Sequence, residues 1–340
     1  MKDREAVSAP PRRPTLKTVA AEVGLAVATV SRALNDAPDI NEETKARVRE
    51  AALRVGYRPN RAGVRLRTGR TNVISLLLAP ETDMMSHTAR LIHALASELR
   101  GTPYHLIVTP VFDDEDPLAQ VRYVIETGSA DAIVINKIRP EDPRIAYMHA
   151  NRMPFATHGR SDMGIAHPFF DFDNRRYAEL AVEALALRGR RRLLVVAPPI
   201  EQNYAQHIVA GVEATCARLG LGWRRVEDAT SDSPSARIEA AVARRLAGGG
   251  CDAVLCASAA SVIASVSAAE GLGLRLGADL DVAGKESVPF LKRFRSEIIA
   301  VHEDSAAAGA FLARAALAAV RDPSAPPMTH LAAPGPGDLR

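Results

Sequence analysis

Residues 15–36, TLKTVAAEVGLAVATVSRALND, decide how this chain is read. Thr15 stands where a helix N-cap belongs, Val19, Ala20 and Val23 follow at helical spacing, and Gly24 suits the left-handed residue that ends a helix. Val27 to Leu34 predict a second short helix, with Val30 and Leu34 turned inward and Thr29, Ser31 and Arg32 outward. Two short helices around a glycine turn, the second with a polar outer face, form the arrangement that lays a helix in a DNA major groove. Asn41 caps a third predicted helix, whose Val48, Ala51, Ala52 and Val55 share a face before Gly56 closes it. Residues 15–57 therefore read as an all-α helix-turn-helix headpiece.

Charge agrees with that division. Residues 1–70 carry 15 Lys/Arg against 8 Asp/Glu, whereas the remainder carries 28 against 32, so only the front of the chain is a phosphate binder by charge. Residues 1–14 are polar, basic and Pro-rich and read as a disordered arm. They lack the apolar run of a secretory signal, and no stretch is apolar for the length of a membrane span, so a cytoplasmic protein with no membrane partner is expected. Cys216, Cys251 and Cys256 have no metal or disulfide spacing and read as small core residues.

Residues 58–71, RPNRAGVRLRTGRT, are basic and punctuated by Pro and Gly, and form a linker. From residue 72 to 322, apolar runs of strand length alternate with amphipathic helical segments: Val73–Ala79, His105–Thr109, Ala132–Ile135, Phe155–His158, Leu193–Ala197, Ala253–Ala257, Asp281–Ala283 and Ile298–Val301. Such alternation predicts βαβ crossovers, here two doubly wound parallel-sheet lobes facing each other. Aromatics are only 4% of a chain that is 47% hydrophobic, so the core must be aliphatic, as in parallel α/β folds. The tail, residues 323–340, holds five prolines and is expected to be a loose extension.

The front of the chain resembles the lac-repressor (LacI/GalR-type) family of transcription regulators. The resemblance runs in register through T-L-K-x-V-A, G-L-A-V-A-T-V-S-R-A-L-N, N-E-E-T-x-x-R-V, G-Y-R-P-N and L-R-T-G-R-T across residues 15–71, and the α/β pattern behind them suits that family's periplasmic-binding-protein-like core. It implies base reading by Val27 and Ala28, with further DNA contacts from Thr29, Ser31, Arg32 and Asn35, and from Thr15, Leu16, Tyr57 and Asn60. It also implies that residues 58–71 are a hinge helix that folds on DNA and wedges Leu66 into the minor groove. Two departures stand out. Ala26 replaces the usual serine N-cap at a cost of about 1 kcal/mol, and Gly63 weakens the hinge helix by roughly as much. The resemblance further implies a homodimer on a palindromic operator.

Ligands of open α/β sheets bind beyond the C-terminal ends of the strands. That rule nominates Glu81 and Asp83, Asn136 with Lys137, His158, Arg160, Tyr204, Gln206, His207, Ser258 and Glu286 as effector contacts. Relative to the family, Ile208 stands where an arginine clamp is expected, and Gly284-Lys285-Glu286-Ser287 replaces G-[YF]-D-D, which makes Glu286 a stand-in hydroxyl acceptor. Loss of the arginine argues against phosphorylated ligands and for a neutral sugar or glycoside. No catalytic residue, cofactor or metal site is expected: GxxxxGK, HExxH, GxSxG and GxGxxG are all missing, and Asp113 to Asp116 read as a solvated helix cap. The competing readings are a cytoplasmic sugar-binding protein or a sugar-modifying enzyme with an accessory headpiece.

Overall fold

The computed structural model describes residues 14–58, 65, 69–78, 87–112 and 115–339. Chain contacts divide it into two units, Met1–Thr71 and Asn72–Arg340. In the first, α1 (Leu16–Val23), α2 (Val27–Leu34) and α3 (Glu42–Arg54) pack around Val19, Val30, Ala33, Val48 and Ala51, all fully buried. The ends follow the local chemistry. The backbone N–H of Thr15 donates to Thr18 Oγ1 at 3.0 Å, Gly24 takes φ +68°, and Asn41 Oδ1 accepts from the Thr44 N–H at 2.8 Å. Ala26 precedes α2 with no side-chain cap.

The second unit holds two all-parallel sheets. One, in spatial order β11-β5-β4-β3-β1-β2, joins β1 (Val73–Leu78), β2 (His105–Pro110), β3 (Ala132–Ile135), β4 (Phe155–His158), β5 (Phe169–Phe172) and β11 (Thr329–Ala332). It carries α4 (His87–Glu98), α5 (Ala119–Thr127), α6 (Pro143–Ala150) and the late helix α12 (Ser305–Arg321), which packs on α4. The other sheet, β10-β9-β8-β6-β7, joins β6 (Arg192–Val196), β7 (Gly222–Arg225), β8 (Ala253–Cys256), β9 (Asp281–Glu286) and β10 (Ile299–His302). Its helices are α7 (Asn174–Leu187), α8 (Asn203–Leu219), α9 (Ser235–Ala247), α10 (Ala259–Gly271) and the short α11 (Leu291–Phe294). The chain thus passes between lobes after β5, after β10 and again after β11, where Leu339 bridges to Val301 of β10, and Glu303 lies just beyond β10 on the second crossing segment. Backbones come close where glycine permits: a Cβ at Gly309 would stand 2.3 Å from the Leu91 carbonyl oxygen, and one at Gly211 2.6 Å from that of Arg175.

Three strands escape the sequence reading. β5 is four residues long, while β7, Gly-Trp-Arg-Arg, is an edge strand with alternating exposed positions and no apolar run. The third corrects an expectation: residues 329–332 of the tail are not loose but form β11, paired in parallel with β5 through Thr329 to Ala332. Tail prolines flank this segment rather than interrupt it, so its N–H groups remain free to pair.

Candidate functional site

The outer face of α2 is accessible. Val27 and Ala28 are exposed and open the helix, Thr29 and Ser31 are half-buried, and Arg32 pairs with Asp39 across the turn that follows. Asn35 closes the helix, its side-chain amide donating to the Ser31 carbonyl. Leu16 and Tyr57 pack against the headpiece core, and partial burial raises the Tyr57 phenol above its ordinary value. Asn60, Gly63 and Leu66, and likewise Glu81 and Asp83, lie outside the described residues.

In the second unit, a cleft of about 380 Å³ opens where the C-terminal ends of both sheets face each other, a volume within the usual range of small-molecule sites. Asn136, Lys137, His158, Arg160, Tyr204, His207, Ser258 and Glu286 all line it. Gln206 does not, its amide being turned to the Ile200 carbonyl at 3.1 Å. Ile208, at the position of the family's arginine clamp, is wholly buried in the core of the second lobe, and it is His207, one position earlier, that reaches the cleft. Two further nominees have structural duties. Ser258 caps α10 together with Ser261, and Glu286 Oε2 accepts the N–H groups of Phe290 and Leu291 at 2.9 and 2.7 Å. Glu286 Oε1 is left buried without a hydrogen-bond partner.

The cleft floor is a charged network that sequence reasoning did not assemble. Lys285 Nζ lies 2.8 Å from Glu303 Oε2 and donates to Asn174 Oδ1 at 2.8 Å. It also stands over the rings of Phe172, Tyr177 and Tyr204 at 5.2, 5.7 and 5.7 Å from their centroids. Burial alone would raise the Glu303 carboxyl, but Lys285 and the adjacent His87 and His158 hold it at about 2. Burial, reinforced by His87, keeps His158 neutral with its pKa lowered to about 3. The opposite outcome holds at Asp171, where burial pushes the carboxyl up to about 7. Arg160 Nε is 3.2 Å away but off a hydrogen-bonding line, so Asp171 Oδ2 stays unbonded. The one sequence signal for this floor was Lys285, which stands before Glu286 where the family pattern G-[YF]-D-D places an aromatic residue.

Contacts between described residues join the lobes across the cleft, and Asn203 carries three of them, one from its Nδ2 to Asp162 Oδ1 at 3.1 Å. Lys137 Nζ meets Asp232 Oδ2 at 2.7 Å, the Asn203 backbone N–H donates to the Ile138 carbonyl at 2.8 Å, Asn203 Nδ2 donates to the Arg160 carbonyl at 2.8 Å, and His87 Nδ1 is 3.1 Å from Ser287 Oγ. The acidic run reads as expected where described: Asp116 accepts from the Leu118 N–H and pairs with Arg122, while Asp113 and Asp114 are outside the described residues.

Comparison with known proteins is consistent with both units. Residues 15–60 match the family of bacterial regulatory proteins of the lacI family, and residues 71–315 match the periplasmic binding proteins and sugar binding domain of the LacI family. The HTH-type transcriptional regulator AglR of Rhizobium meliloti (strain 1021) is 33% identical over 308 residues, 88% of this chain and 86% of that protein. The fold is shared with the lac repressor dimer bound to operator and the anti-inducer ONPF, at TM-score 0.81 and 19% identity over 95% of this chain and 97% of that one. It is shared also with the transcriptional regulator CelR in complex with cellobiose, at TM-score 0.69 and 20% identity over 96% of this chain and 98% of that one. A basic helix-turn-helix headpiece followed by a two-lobed sugar-binding-type core places the chain in the LacI family, as a DNA-binding transcriptional regulator and not an enzyme.

Proposed function

We propose that the chain is a homodimeric repressor of carbohydrate-utilisation genes, released from a palindromic operator by a neutral sugar or glycoside held between its lobes. The observation that carries this reading is a set of buried, unbonded polar atoms on cleft-lining residues: Asp171 Oδ2, Asn203 Oδ1, Glu286 Oε1 and His207 Nδ1. Buried polar atoms are ordinarily bonded, and three of these four are acceptors, which is what a ligand rich in hydroxyl donors requires. The cations at the cleft each face a carboxylate, Lys137 with Asp232, Lys285 with Glu303 and Arg160 with Asp171, which disfavours a phosphorylated ligand. Tyr204 adds a ring face against which a pyranose packs.

In this reading Val27 and Ala28 meet base edges and Thr29, Ser31, Arg32 and Asn35 meet phosphates or bases, with Leu66 as the minor-groove wedge. The open edge strand β2, where Ile107 and Val108 are 46% and 42% exposed on its opposite faces, supports pairing of two chains. The work is done in the cytoplasm, and no described helix is long and apolar enough to cross a membrane. Ligand in the cleft favours the closed arrangement of lobes. For a utilisation repressor that closed state must be the one with low operator affinity, since a ligand shifts the equilibrium only toward the state it binds better. Melting the purified protein against a panel of mono- and disaccharides, cellobiose included, tests the proposal: a native-state ligand raises the melting temperature, and no shift from any sugar contradicts it.

A further inference from the structure

His87, the first residue of α4, and His158, at the C-terminal end of β4, stack with ring centroids 4.9 Å apart and planes 20° from parallel. Beside them, on the crossing segment just after β10, stands Glu303. One nitrogen of each ring and one carboxylate oxygen all lie within 4.8 Å of one another.

We propose that His87, His158 and Glu303 form a binding site for a first-row divalent transition metal such as Zn²⁺ at the floor of the cleft. Two imidazoles and one carboxylate are the donor set such ions take, and three protein ligands leave a coordination position for the cleft. The supporting shell is in place. Lys285 Nζ holds one oxygen of Glu303 at 2.8 Å, leaving the other, which faces His87 Nδ1 at 3.9 Å, for the ion; the Ser287 Oγ contact 3.1 Å from the same Nδ1 is one that ligation through Nδ1 replaces. Metal–nitrogen bonds of about 2.0–2.1 Å put tetrahedral donors roughly 3.3 Å apart, so binding draws the three groups together. Because the two histidines belong to the first lobe and Glu303 to the crossing segment, that contraction ties the cleft shut. The Lys285 charge opposes the ion, which sets a direct expectation: Lys285→Met binds metal more tightly than the native chain.

The site stands on these side chains alone; only its effect on operator release rests on the effector reading. The test is titration of the chelator-stripped, full-length protein with Co²⁺, followed by its visible absorption and by competition with Zn²⁺. Expected are one ion per chain, affinity lowered roughly 100-fold or more in His87→Ala and in His158→Gln, and tighter binding in Lys285→Met. His87 is partly exposed, so His87→Ala keeps the test valid if His158→Gln does not fold. Absence of binding, or binding that survives in folded His87→Ala, overturns the site. Metal binding without any sugar-induced melting shift would instead contradict the effector reading and leave the metal site standing.

Discussion

The recognition helix and the cleft floor handle charge in opposite ways. Arg32 keeps 56% of its side chain exposed and pairs with an equally wet Asp39, so the pair is worth no more than about 1 kcal/mol and Arg32 is free to exchange its partner for a phosphate or a base. Lys285 and Glu303 are 9% and 10% exposed and hold each other at the cleft floor. Both are already desolvated, so each depends on the other and neither is available for exchange. In the proposed function, one region is a surface that binds by swapping partners, and the other is a fixed frame against which a neutral ligand is read. DNA binding should therefore follow salt concentration, and sugar binding should not.

The sharpest way to break that contrast is Lys285→Met. It strands the Glu303 carboxylate and should lower core stability by about 3–5 kcal/mol in urea denaturation; a loss near zero would mean the floor is as exchangeable as the surface. Arg32→Ala comes next. It should weaken operator binding by about 1–3 kcal/mol, roughly 5- to 150-fold, while core melting stays unchanged; a shift in core melting would deny the two regions their independence.

Asp171 gives a smaller effect with a defined sign. Its folded pKa is raised from 3.8 to about 7, so its contribution to stability is complete below about pH 3.8 and is lost as pH rises through about 7. Between those limits the melting temperature of the native core should fall with pH relative to Asp171→Asn, and parallel curves for the two proteins would refute the assignment. The smallest effect belongs to Asp39→Asn, which releases Arg32 and should strengthen operator binding by no more than about fivefold. A change of several tens-fold would show that the pair is part of the recognition geometry.

The same contrast explains what could be read from the residues. Headpiece features are local: Thr15, Gly24 and Asn41 act on neighbours within a turn, and the buried face of α3 repeats at helical spacing. The cleft is assembled from distant segments. Asn136, His158, Tyr204 and His207 were reachable because each follows a strand or opens a helix at a strand's C-terminal end. Lys285, Glu303 and Asn174 were not, because nothing local marks a lysine inside the apolar strand β9 as the partner of a glutamate beyond β10. The place of Ile208 was not legible either, because the sequence pattern places a helix residue but not the side of the helix it faces, and here α8 turns that position into the lobe core. β11 was hidden by the prolines that flank it and by its exposed edge position, where pairing with β5 alone defines it.

The central claim is that cleft occupancy governs operator affinity. The most direct measurement is fluorescence anisotropy of a palindromic duplex selected by the protein itself, titrated with protein in the presence and absence of the sugar that gives the largest melting shift. Sugar is expected to weaken duplex binding by about 5- to 150-fold, the span of a coupling of about 1–3 kcal/mol. Equal affinity with and without a sugar that demonstrably binds would contradict it.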